Sequence, residues 1–134
     1  MEITRGAVPT ARGAAEWFTG EVYMDPVAAP TGGSHVAAVS VHFAPGARSA
    51  WHTHPHGQTL WITQGTCRCQ RRGGPVEVLH TGDRVFFAPG EDHWHGAAED
   101  CFMTHLAIHE VDEHGAAVHW GPLVTDEEYA GATP

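Results

Sequence analysis

The residues in this sequence best equipped for chemistry are its histidines. There are twelve in 134 residues. Several cluster, at His52, His54 and His56 and again at His93 and His95. Side chains at i and i+2 of a β-strand face the same way, so His52 and His54 share a face, as do His93 and His95. Two imidazoles aimed at one point are half of a metal site, although a single His-x-His pair is a weak signal alone. Cys67 and Cys69 also share a face. No second pair accompanies them and Cys101 is distant in sequence, so free, buried or semi-buried thiols are the better reading.

Positioning such residues takes strands, and strands are what the patterning offers. No stretch carries a convincing helical period. Short alternating or aromatic-rich runs are cut by Gly and Pro about every ten residues, as in a β-sandwich or barrel. Strands are expected at Phe18–Met24, Val36–Phe43, Thr59–Thr63, Thr66–Arg71, Val76–Leu79, Arg84–Phe87, His93–Ala97 and Phe102–His109. Turns are expected at Ala44-Pro45-Gly46, Gln64-Gly65, Thr81-Gly82-Asp83 and Ala88-Pro89-Gly90, with a two-residue hairpin at Gly73-Gly74. Pro26–Gly33 reads as a loop, and Thr125–Tyr129 as one capped helical turn. In the strand Phe102–His109 the set Phe102, Thr104, Leu106, Ile108 is apolar, whereas Met103, His105, Ala107, His109 carries two histidines. Either the histidine set is solvated, or it faces a polar lumen and the apolar set forms an interface with a second chain.

The chain as a whole narrows the partners. Its length suits one domain with an adequate core. A net charge of −9 argues against nucleic acid, whose binding needs a basic face. The N-terminus lacks a signal-type apolar run and no stretch is long enough to span a bilayer. An odd count of three cysteines fits reduced thiols and a cytoplasmic location.

Two motifs sharpen the metal reading. Gly46–Gly65, GARSAWHTHPHGQTLWITQG, has the form G-x5-H-x-H-x3-Q-x6-G, and Gly82–His93 reads GDRVFFAPGEDH. Together they resemble the two motifs of the cupin superfamily, with Gln58 in place of the usual Glu, Ala97 in place of the final Asn, and Pro89 one residue late. The resemblance implies an all-β, single-domain cupin, a double-stranded β-helix or jelly-roll barrel. Its barrel core would run over about residues 34–111, with an N-terminal strand arm at 16–25 and a short C-terminal tail. The physical logic stands beside the family name. His52 and His54 converge, a turn returns Gln58 to them, and His93 adds a third imidazole from another hairpin. Such a set suits Mn, Fe, Ni, Cu or Zn and leaves positions open, as catalytic sites do. Gln58 is a neutral donor, so the ion binds less tightly and acts as a stronger Lewis acid. His56 is expected to face solvent, and Trp51 and Trp61 to pack in the core or an interface.

The likeness extends further. EWFTGEVYMDP, FAPGARSAWHTHPHGQTLWITQG, GDRVFFAPGEDHWHGAA and MTHLAIHE resemble small bacterial single-domain cupins that include manganese-dependent hydroxynitrile lyases. That resemblance implies metal ligands His52, His54, Gln58 and His93, and one Mn2+, with Fe2+, Ni2+ or Zn2+ as alternatives. His105 would move the proton, His95 and His109 would line the same pocket, and the inward set of the late strand would be the histidine set. Val39, Val41, Phe43, Ser49, Leu60 and Ile62 would wall the substrate pocket. The substrate would be a small cyanohydrin, cleaved to an aldehyde and cyanide. Two rival functions share this scaffold, an Fe(II)-dependent dioxygenase and a non-enzymatic small-ligand-binding module. A homo-oligomer, dimer or tetramer, is expected, with the strand near Phe18–Met24 joining a neighbouring chain's sheet.

Overall fold

The computed structural model describes residues 1–131. In chain order its elements are β1 (Ala11–Arg12), β2 (Phe18–Thr19), β3 (Val22–Ala28), β4 (Val36–Phe43), β5 (Arg48–Ser49), β6 (His52–Thr53), β7 (Gln58–Arg71), β8 (Glu77–His80), β9 (Arg84–Phe87), β10 (His93–Ala97), β11 (Met103–Glu110), β12 (His119–Trp120) and α1 (Asp126–Tyr129). All pairings are antiparallel. One sheet runs β1-β3-β4-β11-β7-β9; the other joins β8 to β7, then β10, then β5 and β2, with β6 and β12 also on β10's side. The fold is the single-domain jelly roll.

β7 belongs to both sheets, and this is where the chain departs from the expected turn at Gln64-Gly65. Gln58–Trp61 pairs with β9 in one sheet, and Thr66–Cys69 pairs with β8 in the other. Gly65 sits at φ +77°, and a Cβ there would collide with the Phe102 carbonyl oxygen. It bends one continuous strand between two sheets instead of ending it.

Other boundaries also move. Pro26 does not end β3, which continues to Ala28 with a register irregularity after Pro26; β1 covers only Tyr23 and Met24, so Pro26 sits at a free edge where no donor is needed. The Arg71 hairpin closes on Arg72-Gly73, with the Gly74 N–H donating to the Arg71 carbonyl and Gly73 at φ +81°. It is not a two-residue Gly73-Gly74 loop. The segment Phe18–Met24 splits at Gly20, and both halves pair within their own chain, β2 on β5 and β3 on β4.

The core lies between the sheets: Val22, Val41, Phe43, Leu60, Ile62, Cys67, Phe87 and Met103 are all buried there. Each large apolar side chain so buried stabilises the fold by about 1.5–3 kcal/mol. A second cluster, Trp51, Trp94, Val124 and Tyr129, ties the C-terminal segment to the barrel.

Candidate metal centre

Alternation along β6, β7, β10 and β11 turns one row of side chains from each toward the lumen. His52, Gln58, His93, His95 and His105 are buried. In β11 Met103, His105 and Ala107 are buried; of the other set Thr104 is buried too, against His42 at 3.1 Å, while Leu106 is half-buried and Ile108 exposed. The apolar set is therefore the outer one.

Three imidazoles are oriented by backbone carbonyls. His52 Nδ1 lies 2.8 Å from the Ala50 carbonyl, His93 Nδ1 2.8 Å from that of Glu91, and His54 Nδ1 2.6 Å from that of Ala117. An Nδ1–H donated to a carbonyl leaves Nε2 as a bare lone pair, the state a metal ligand needs. The ring centroids lie 5.0 Å (His52–His54), 4.3 Å (His52–His93) and 5.6 Å (His54–His93) apart. His93 Nε2 is 3.2 Å from Gln58 Oε1, so with that tautomer two acceptors face each other, which a shared cation resolves. His54 Nε2 and His95 Nε2 are buried without a hydrogen-bond partner among the described residues. The donor set fits a divalent cation.

Nitrogen-to-nitrogen distance groups the ligands differently. His52, His93 and His95 have ring nitrogens all within 4.8 Å of one another, a trio that can hold a metal ion. His54 falls outside that trio, although by ring centres it is as near His52 as His95 is (5.0 against 5.1 Å). Both rings hold Nδ1 in a hydrogen bond and leave Nε2 unpartnered among the described residues. His54 Nδ1 faces a carbonyl, which can only accept and so fixes Nε2 as a lone pair, whereas His95 Nδ1 meets His105 Nε2 at 3.0 Å and can donate or accept. The fixed lone pair makes His54 a candidate donor beside the trio.

Burial also sets protonation. Desolvation lowers His105 and His93 to about 3 and His54 to about 4. It lowers His52 and His95 well below the ordinary value, with neighbouring imidazoles adding to the effect, and His109 more mildly. The cluster is neutral at pH 7. Beside it lies a cavity of roughly 100 Å³ lined by His52, His54, Gln58, His95, His105 and His109, with an apolar wall that includes Val39 and Val41.

The cupin domain family matches residues 39–109, the span that supplies every one of those polar side chains. This chain belongs to the cupin family. It is 55% identical over 130 residues to an (R)-mandelonitrile lyase from Granulicella tundricola, covering 96% of this chain and 98% of that protein. A cupin-like protein from Thermotoga maritima superposes with TM-score 0.85 at 36% identity, over 99% of this cupin and 98% of that chain. The polyketide cyclase RemF from Streptomyces resistomycificus shares the fold alone, at TM-score 0.73 and 15% identity, over 96% of this chain and 91% of that one.

Not every pocket residue expected from sequence reaches this cupin's cavity. Val39 and Val41 line it; Leu60, Ile62 and Ser49 are buried elsewhere in the barrel, and Phe43 stands behind His95 and His105 at 5.9 and 5.4 Å. His109 lines the cavity and stacks on His54 at 4.9 Å, while His56 is exposed. Conversely, sequence reasoning missed Phe18 and Met24 from the N-terminal arm and Val118 and Trp120 from the C-terminal segment. The signal available was a bulky Trp in a stretch read as tail, since such a residue is seldom left in water.

Proposed function

We propose that this cupin is a metal-dependent hydroxynitrile lyase, cleaving cyanohydrins to an aldehyde and hydrogen cyanide and forming them in reverse. The observation that carries this reading is the coupled His95–His105 pair opening on the same small apolar cavity as the metal-donor cluster. The likeness to the mandelonitrile lyase supports it.

His52, His54, Gln58 and His93 would hold one divalent cation, Mn2+ by resemblance to the manganese-dependent lyases. When bound, the cation supplies Lewis acidity toward the substrate oxygen, and Gln58 leaves its charge uncancelled. His105 and His95 enter the reaction neutral, each with an acceptor nitrogen. His105 takes the hydroxyl proton; the carbon–carbon bond breaks as the carbonyl forms, and the electron pair leaves on cyanide. The imidazolium is costly in so buried a place, so its proton passes on to cyanide and restores the neutral pair. Val39 and Val41 with Met24 and Phe18 exclude water from the aldehyde end of the cavity.

The test is anaerobic cleavage of mandelonitrile by manganese-loaded and chelator-treated protein, following benzaldehyde release. Release that requires metal and no oxygen is expected. No release from loaded protein would overturn the lyase reading, and uptake of oxygen with another substrate would favour a dioxygenase.

The proposal extends to a homo-oligomer, a dimer or tetramer, with a second copy as partner. Phe18–Met24 is committed within its own chain, so the support lies on the outer face of the β4–β11–β7 sheet. Trp61 on β7 is 45% exposed there, and Phe86 on the adjoining β9 is 61% exposed, large exposed aromatics of the kind that mark interfaces. One row across that face reads Arg84, Trp61, Leu106, Ser40, Asp25. A twofold axis along β11 in the interface plane would set Arg84 against the partner's Asp25, making the row self-complementary.

A further inference from the structure

The segment Asp112–Gly121 lies beyond the last long barrel strand. We infer that it is a strap belonging to the metal centre, that its Ala117 carbonyl positions His54 for ligation, and that Trp120 is the positioning residue that anchors it. This rests on the reading of His54 as a ligand.

The three oriented imidazoles differ in where their orientation comes from. His52 and His93 are held by carbonyls two residues away, Ala50 and Glu91, so each carries its partner with it. His54 is held by Ala117, 63 residues away. Two rings are set locally and the third only when the strap is docked. Among the described residues no other hydrogen-bond partner fixes which nitrogen of His54 carries the proton.

The strap is built to deliver that carbonyl. The Asp112 carboxylate accepts from the His114 and Ala116 N–H groups at 2.8 and 2.9 Å, closing a compact turn that sends the chain back toward the site. β12 then pairs with β6, Trp120 opposite His52. The Gly121 N–H donates to the Trp51 carbonyl at 2.7 Å, and the Trp51 N–H to that of Pro122 at 2.9 Å. Trp120 stacks on Trp17 at 5.3 Å, meets Phe18 edge-on at 5.6 Å, and lies 4.9 Å from the His52 ring. It wedges the strap between the N-terminal arm and the ligands. Farther on, buried Arg48 donates to the Val124 carbonyl at 2.9 Å and to Asp126 at 2.7 Å, locking the end of the segment to the barrel. Partners that orient a ligand in this way are worth about 10–100-fold in metal affinity.

The experiment uses the full chain and two variants. Trp120→Ala removes the anchor. Gly121→Val leaves Trp120 in place but pushes on the strap's own acceptor, because the atoms nearest a Cβ at Gly121 all belong to Trp51, its oxygen at 3.0 Å. Mn2+ affinity is read by calorimetry, and the ring tautomers of the metal-free protein by nitrogen-15 NMR of labelled histidine. Expected are an Nδ1–H form for His52, His54 and His93 in the native chain, averaging of the His54 signals in both variants with His93 unchanged, and affinity about 10–100-fold weaker. Trp120→Phe should recover most of the loss. Native affinity and a fixed His54 tautomer in a folded Gly121→Val or Trp120→Ala chain would overturn the inference. Native affinity in His54→Ala would instead remove His54 from the ligand set, and so is distinguishable from failure of the strap's role.

Discussion

His105 Nε2 and His95 Nδ1 lie 3.0 Å apart, so one proton is held between two buried imidazoles. If His105 donates, its Nδ1 is a free acceptor and His95 Nε2 bears hydrogen. If His95 donates, the roles reverse. Either way each ring keeps one acceptor, and a proton taken at one end can leave from the other. Because His105 donates no lone pair to the proposed ligand set, His105→Ala is expected to retain the metal, by elemental analysis, and to lose about 10²–10⁴-fold in kcat/KM for cyanohydrin cleavage. Loss of the metal would make His105 part of its support; full activity would move the proton transfer to His95 or His109.

Gln58→Glu should tighten Mn2+ binding and slow cleavage, because a carboxylate cancels part of the cation's charge. The acceptor facing His93 at 3.2 Å would also become charged. Calorimetry and steady-state kinetics check the two effects. If both stay at native values, Gln58 does not touch the metal.

His52→Ala or His93→Ala should abolish metal binding yet leave the jelly roll folded, since the apolar core cluster contains none of the candidate ligands, although Phe87 stacks on His93 at 3.7 Å. Circular dichroism of the variants and of chelated native protein tests this. A chain that unfolds on chelation would show that the ion holds the barrel together.

Stability should fall with acid in a window set by the buried histidines. His93 and His105 drop from 6.5 to about 3 and His54 to about 4 on folding. The unfolded chain therefore binds more protons than the folded one below pH 6.5. Their contribution is whole above that pH and is lost as pH falls toward about 3. Each group that titrates only when unfolded costs up to about 1.4 kcal/mol per pH unit. Melting of chelated protein should decline between pH 6.5 and 5, above the ordinary carboxylate range. A flat melting temperature there would mean these imidazoles are not buried.

Trp61→Glu should dissociate the proposed dimer by placing a charge in place of the large aromatic beside the centre of the row Arg84, Trp61, Leu106, Ser40, Asp25. Light scattering at micromolar concentration reads it directly. A native chain that is monomeric at that concentration would dispose of the interface.

Much of this was legible in the chain because strand periodicity is local. Val36–Phe43, Arg84–Phe87 and His93–Ala97 form as their alternation indicates, and the same period of two puts His52 with His54 and His93 with His95. The spacing of glycines around these histidines is enough to mark the cupin family. Long-range geometry was not legible. Gly65 looks like a turn until its carbonyl neighbour, Phe102, shows that the strand must pass between two sheets. Leu60 and Ile62 share the inward parity of Gln58, yet parity gives a face and not a depth, and only packing decides that they stay in the core while Met24, Val118 and Trp120 reach the cavity. The carbonyl that orients His54 sits in a segment whose own sequence carries no strong pattern. It is brought there by contacts such as Arg48 to Asp126, 78 residues apart. Local sequence chose the candidate ligands; tertiary closure chose what holds those side chains and what they face.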